Sequence, residues 1–309
     1  MLTRRWPPWL RWALTLLLLL TTAWFLDVSV VWQELAGFSL PMLLAAMVVS
    51  VLQVLVSAWR WRYTAGRLSV GLPFVVAVRE YYLATFLNQV LPGGVLGDVN
   101  RAWRHSLGSA ARLGAVHAVM IERLSGQMVM VSVALGLGAW LALQQGRIAG
   151  VVADMGGGVA AVVVLIVVVL GLLARLWARG RGYVHALRRD IRRALLSWPA
   201  IVVQVSSSAV VVATYLCVFA LLAVGAGYWS EPQQALALLA LCSLLLLAMA
   251  VPVSVAGWGV REGAAALLWP LAGLPPEQGV ALSVGYGLAV LISSLPGAVF
   301  MVSGRYPAG

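Results

Sequence analysis

Residues 92–101 read PGGVLGDVNR and residues 252–261 read PVSVAGWGVR. The two stretches share Pro92 and Pro252, Val95 and Val255, Gly97 and Gly257, and Arg101 and Arg261, each pair 160 residues apart and each stretch preceded by a long apolar run. Such a segment combines a proline that cannot continue a helix, glycines that permit close backbone approach, and an arginine a few residues on. It is suited to turning a chain inside a membrane and carrying a cation to the turn. Its recurrence predicts two halves built on one plan, as in transporters made of inverted repeats.

Composition supports the membrane setting. Of 309 residues, 62% are hydrophobic and 10% charged, too little polar surface to cover a soluble globule. The net charge of +11 arises from 21 basic residues, every one an arginine. They sit in short loops between apolar spans, which argues against nucleic acid and for anionic lipid as the partner. Cys217 and Cys242 lie in apolar stretches and read as small packing residues. Arg4, Arg5 and Arg11 precede the run Leu16 to Leu20, and no small-residue cleavage site follows before Trp24, so the segment reads as an uncleaved first span.

About 20 apolar residues cross a bilayer core, and such stretches lie near 12–31, 40–58, 116–143, 157–177, 199–224 and 278–303. Arginines gather at the N-terminus, in the loop holding Arg60, Arg62 and Arg67, from Arg175 to Arg193, and at Arg305. These mark the cytoplasmic side, with both termini there, as in a bacterial inner (cytoplasmic) membrane protein. The topology closes if segments 72–112 and 233–272 each enter and leave on one face. The expected fold is thus an all-α polytopic membrane protein of two inverted repeats, with about six full transmembrane helices plus two re-entrant hairpins. Residues 1–150 form the first repeat with hairpin 72–112, and 151–309 the second with hairpin 233–272. Eight transmembrane helices is the alternative, if 72–90 and 233–251 cross fully. Between the halves, HALRRDIRRALL (185–196) places Arg188, Arg189, Arg192 and Arg193 on one helical face and Leu187, Ile191 and Leu195 on the other, the pattern of a helix lying among lipid headgroups.

Charges inside apolar segments are costly, so their positions are informative. They are Arg79, Glu80, Asp98, Arg101, Glu122, Arg123, Arg261 and Glu262. In the first hairpin Pro92, Gly93 and Gly94 break the incoming helix, and the chain restarts near Asp98 with Arg101 in its first turn. A helix start exposes unpaired N–H groups, and with Arg101 it offers phosphate both backbone and side-chain donors. Pro252, Gly257, Gly259 and Arg261 repeat the arrangement. Asp98 and Arg101, three apart, are placed to pair, whereas Glu262 follows Arg261 directly and is expected to serve a partner elsewhere. For all these charges two readings stand, holding a substrate or neutralising one another. Asn88, Gln89 and Ser206 to Ser208 read as helix-joining hydrogen-bonders, and Tyr81 and Tyr82 as interfacial anchors.

Enzyme chemistry has little footing. His105, His117 and His185 lack metal-ligand spacing, no HExxH or GxSxG occurs, and GGVLGD lacks the GK[ST] of a phosphate-binding loop. With no lysine there is no Schiff-base chemistry. No catalytic activity, cofactor or metal is expected.

NQVLPGGVLGDVNRAWR from Asn88, IERLSG from Ile121 and VPVSVAGWGVREGA from Val251 resemble the lysylphosphatidylglycerol synthase transmembrane family, also called flippase-like domain proteins. The likeness runs from about residue 10 to 303. Large members carry a soluble aminoacyl-transferase domain after the membrane part; this chain ends at Gly309, so lipid aminoacylation is not expected. What the resemblance implies is movement of a lipid with a charged or glycosylated headgroup between leaflets. Matching the family pattern, the substrate-binding positions are Pro92, Gly93, Gly97, Asp98, Arg101, Glu122, Arg123, Pro252, Gly257, Gly259, Arg261 and Glu262, to which Asn88 is added as a hydrogen-bonding group within reach of a headgroup. The leading expectation is translocation of a phosphate-bearing lipid held by Arg101 and Arg261, driven by a lipid gradient, an ion gradient or the membrane potential. A non-transporting partner that binds lipid intermediates for a separate envelope-lipid synthase, and a small-anion permease, are the alternatives.

Overall fold

A computed structural model of the chain describes residues 8–91, 94–144, 181–229, 231–250 and 254–302. Pro92, Gly93, Pro252 and the expected span 157–177 lie outside them. The described residues form an all-α membrane protein: α1 (Pro8–Phe25), α2 (Val28–Ala36), α3 (Leu40–Arg67), α4 (Phe74–Val90), α5 (Leu96–Leu107), α6 (Arg112–Gln144), α7 (Arg181–Ile191), α8 (Ala200–Gly225), α9 (Pro232–Met249), α10 (Val260–Leu268), α11 (Pro276–Ser294) and α12 (Pro296–Val302). Among the described residues five helical runs are long and apolar enough to cross a bilayer, namely α3, α6, α8, α9 and the combined run Pro276–Met301. Four coincide with expected spans, and the fifth, α9, is the first arm of the second hairpin.

The stretch 12–31 is not one helix. Asp27 interrupts it, because its carboxylate accepts the Ser29 N–H at 2.9 Å and the Ser29 hydroxyl at 2.6 Å and so starts α2. The basic segment 185–196 is also shorter as an α-helix than its pattern suggests. α7 ends at Ile191, and Arg192–Leu196 form one wider π-type turn. Its two faces are as expected: the four arginines are exposed, while Leu195 and Ala194 are buried against Ile121 of α6.

Helices before and after residue 150 recur in the same order along the sequence. Those of the first half begin at 40, 74, 96 and 112, and those of the second at 200, 232, 260 and 276, a spacing of 160 residues to within four. The corresponding helices α3 and α8 pack side by side along most of their length and run antiparallel. Ser39 N–H donates to the Gly225 carbonyl (3.0 Å) at one end. Arg60 bonds Ser208 (2.9 Å) and Gln204 bonds Thr64 (2.8 Å) further along, and Arg67 bonds Ser197 (3.0 Å) at the other end.

This pairing positions the hairpins. The first hairpin, α4–α5, is rooted where α3 ends and α6 begins, the end that also carries the start of α8. The second, α9–α10, follows the far end of α8. The two hairpins are therefore rooted at opposite ends of the α3–α8 pair. α1 lies against the second hairpin, with the Thr15 hydroxyl accepting the Val255 N–H at 3.0 Å.

Candidate functional site

Local contacts lock the first hairpin. A Cβ on Gly97 would lie 2.0 Å from the Ala84 carbonyl oxygen and 2.8 Å from the Ala84 Cα, so α4 and α5 meet backbone to backbone and only glycine fits. Asn88 bridges the arms, its Oδ1 accepting the Gly97 N–H and its Nδ2 donating to Asp98, both at 2.8 Å. Nearer the root, Arg104 donates two hydrogen bonds to Glu80, at 2.9 and 3.0 Å. Gly97→Ala is expected to destabilise the protein by about 1–3 kcal/mol, because the backbone it meets cannot move aside. Gly66→Ala, on an open face of α3, is expected to be neutral or to stabilise by up to about 1 kcal/mol. Thermal unfolding of the two purified variants compares them directly.

Behind the tip lies a buried ionic cluster on three helices. Asp98 and Arg101 of α5 pair as their spacing predicts, Arg101 Nε donating to Asp98 at 2.9 Å. Arg101 Nη2 also reaches Glu122 of α6 at 2.6 Å, and the guanidinium lies 4.8 Å from the Trp61 ring centroid and 4.4 Å from that of Tyr81. The other Glu122 oxygen accepts from Arg60 Nε (3.1 Å) and Nη2 and from the Tyr81 hydroxyl (3.3 Å), while Arg60 Nη1 donates to Ser208 on α8. Arg123 Nη2 pairs with Asp98. Three guanidinium groups thus share two carboxylates, a formal surplus of one positive charge. Arg60, Arg101 and Glu122 are almost wholly buried, but the Arg123 side chain is 38% exposed.

The second hairpin holds a neutral counterpart. Arg261 Nε donates to the Ser283 hydroxyl at 2.6 Å, Arg261 Nη2 to Glu262 at 3.0 Å, and Ser283 in turn to Glu262 at 2.7 Å. Glu262 also accepts the Gly259 N–H at 2.6 Å, capping α10. The expectation that Glu262 would face away from Arg261 is therefore corrected. In the first helical turn its carboxylate curls back to the cap, and the long arginine side chain bends to the same point. Gly259 has a positive φ of 82° and no room for a Cβ, which would lie 2.6 Å from Leu18 Cβ, so it fixes the seat of α1.

Between the hairpins is a cavity of about 140 Å³. Gly94 and Val95 of the first tip line it together with Ala250, Ser254 and Gly257 of the second. Its polar wall is made by Arg60, Arg123, Tyr81, Tyr215 and Gln127. Of the positions matched from sequence, Arg123 and Gly257 reach this chamber. Asn88, Gly97, Asp98, Arg101 and Glu122 form the shell behind the first tip, and Gly259, Arg261 and Glu262 form the lock behind the second. Arg101 and Arg261, the arginines expected to hold phosphate, do not line the cavity.

Sequence reasoning missed Arg60, Tyr81 and Tyr215. Arg60 was placed in a cytoplasmic loop, but α3 continues to Arg67 and carries it inside. The signal was a stripe of Gln53, Ser57, Arg60 and Thr64 at helical spacing, all of them buried. Tyr81, read as an interfacial anchor, instead joins Glu122 and Arg101 in the cluster.

The profile of the family described as Lysylphosphatidylglycerol synthase TM region matches residues 9–297 of this chain. No curated protein and no solved structure matches it.

Proposed function

Taking as premise that this chain belongs to the lysylphosphatidylglycerol synthase TM region family and is a multi-pass membrane protein, we propose that it translocates a lipid with a phosphate-bearing headgroup between leaflets. The headgroup passes through the chamber between the two hairpin tips while the acyl chains stay in the bilayer. The observation that carries this reading is the unbalanced cluster that reaches the chamber wall through Arg60 and Arg123, three arginines against two carboxylates, with Arg123 its exposed cation. In a low-dielectric setting an unneutralised guanidinium is costly, and a monoanionic phosphate relieves that cost. Arg123 is the member placed to exchange partners: when it turns to phosphate, Asp98 keeps its bonds from Arg101 and Asn88.

The two arginines of the repeated motif then have a structural task, holding each tip closed, and Arg60 with Arg123 faces the ligand. Tyr81 and Tyr215 offer hydroxyls to the rest of the headgroup. Because the second lock is neutral, anion attraction is concentrated on the first tip. Opposed hairpins and the antiparallel α3–α8 pair support an inverted-repeat organisation with access alternating between faces. The arginine-rich ends of α3 and α7 favour the cytoplasmic side of a bacterial inner membrane for the root of the first hairpin.

Proteoliposomes with fluorescent phosphatidylglycerol in one leaflet test this. Wild-type protein is expected to move the label, and Arg123→Gln to slow movement about tenfold or more, the effect of losing a charge-assisted contact. No transfer by the wild type overturns the proposal. Specific retention of lipid without transfer would instead identify a lipid-binding partner, and uptake of water-soluble anions a permease.

A further inference from the structure

Separate from the chamber, a cavity of about 400 Å³ opens where α7 lies against the start of α6. Arg112, Arg189 and Arg193 line it, with Asp190 the one carboxylate among the lining residues. That carboxylate is already engaged, 2.7 Å from His117 Nδ1 of α6 and 3.4 Å from Arg189 Nε. The wall therefore carries a formal surplus of two positive charges. Arg112 and Arg193 are exposed, as is 63% of the Arg189 side chain, so all three are reachable from outside.

The cavity sits at a membrane surface. α3 ends at Arg67, α6 begins at Arg112 and α8 begins at Ala200 around it, and each of these helices is long and apolar enough to cross. Arg67 ties the ends together by donating to the Arg193 carbonyl at 3.2 Å. Its surroundings are apolar and open: Leu113, on the cavity wall, is 44% exposed, and Leu196 and Trp198 on the chain that follows are 56% and 79% exposed. Guanidinium groups beside exposed apolar side chains at the end of a membrane span match an amphiphile whose head is a phosphate and whose tails lie in the bilayer.

We infer that this cavity is a second, non-transport binding site for the headgroup of an anionic phospholipid of the leaflet on which α7 lies. It does not depend on the chamber: a lipid seated here contacts none of the residues around Arg123. Its effect is to fasten α7 to the ends of α3 and α6.

The test is native mass spectrometry of the full chain from micelles of mixed phosphatidylglycerol and phosphatidylcholine, scoring the phosphatidylglycerol retained. The double variant R189Q/R193Q removes two lining charges. R188Q/R192Q removes two from the same segment that do not line the cavity. The lining pair is expected to lower retention about tenfold for each arginine lost, the effect of losing a charge-assisted hydrogen bond to the headgroup. The other pair should change it less than about twofold. R112Q, on a different helix, should repeat one such step and serves if the double variant fails to fold. Equal losses in both pairs would mean diffuse surface attraction and overturn the site. Displacement of the lipid by an equal concentration of inorganic phosphate would overturn its assignment to a phospholipid.

Discussion

Glu122→Ala is expected to lower the stability of the purified protein by about 3–5 kcal/mol, the largest loss of any single substitution in the site. Glu122 is fully buried and accepts hydrogen bonds from Arg60, Arg101 and Tyr81. Without it, Asp98 is the one carboxylate left for three guanidinium groups, and two of them, Arg60 and Arg101, are almost wholly buried. Glu122→Gln keeps the shape and loses the charge, so it should fall between alanine and wild type. Removing a cation together with the carboxylate, as in Arg60→Leu with Glu122→Leu, should cost less than Glu122→Ala, because leaving a buried charge uncompensated is worse than removing the pair. Thermal unfolding of the four proteins gives the order. A Glu122→Ala protein within about 1 kcal/mol of wild type would show that the cluster is held by something other than this carboxylate.

The helical membrane character of the chain was readable from composition and span length, because apolar runs of twenty residues have few other outcomes. The breaks between α4 and α5 and between α9 and α10 were readable too, because Pro, Gly and Arg at a fixed offset mark the end of a helix whatever surrounds it. What the repeat could not reveal is that its arginines point backward. Whether Arg101 faces a chamber or a carboxylate depends on Glu122, twenty-one residues away on another helix, and nothing in the local pattern fixes that direction. The same limit misplaced Arg60, where proximity to Arg62 and Arg67 suggested a solvated end although the polar stripe on α3 pointed inward. Glu262 failed for a different reason. The rule that adjacent residues face apart describes side chains in mid-helix, and in the first turn of α10 its carboxylate reaches back to the cap.

The asymmetry between the two locks follows from chemistry more than from the motif. On the first hairpin the cluster gathers cations from α3, α5 and α6, and α6 contributes both Glu122 and the adjacent Arg123. On the second, Ser283 of α11 contributes a neutral hydroxyl, and Arg261 and Glu262 neutralise each other.

On the proposed reading a headgroup moves through the space shared by the two tips. Val95 and Ser254 line that space from opposite hairpins. With the exposed Cys217 replaced by serine and Cys242 left buried, Val95→Cys and Ser254→Cys can be joined by a short bismaleimide and the protein returned to proteoliposomes. Leaflet transfer of labelled phosphatidylglycerol by the joined protein is predicted to fall to the protein-free background, while each single-cysteine protein given the same reagent keeps transferring. Transfer at the wild-type rate through joined tips would contradict the account.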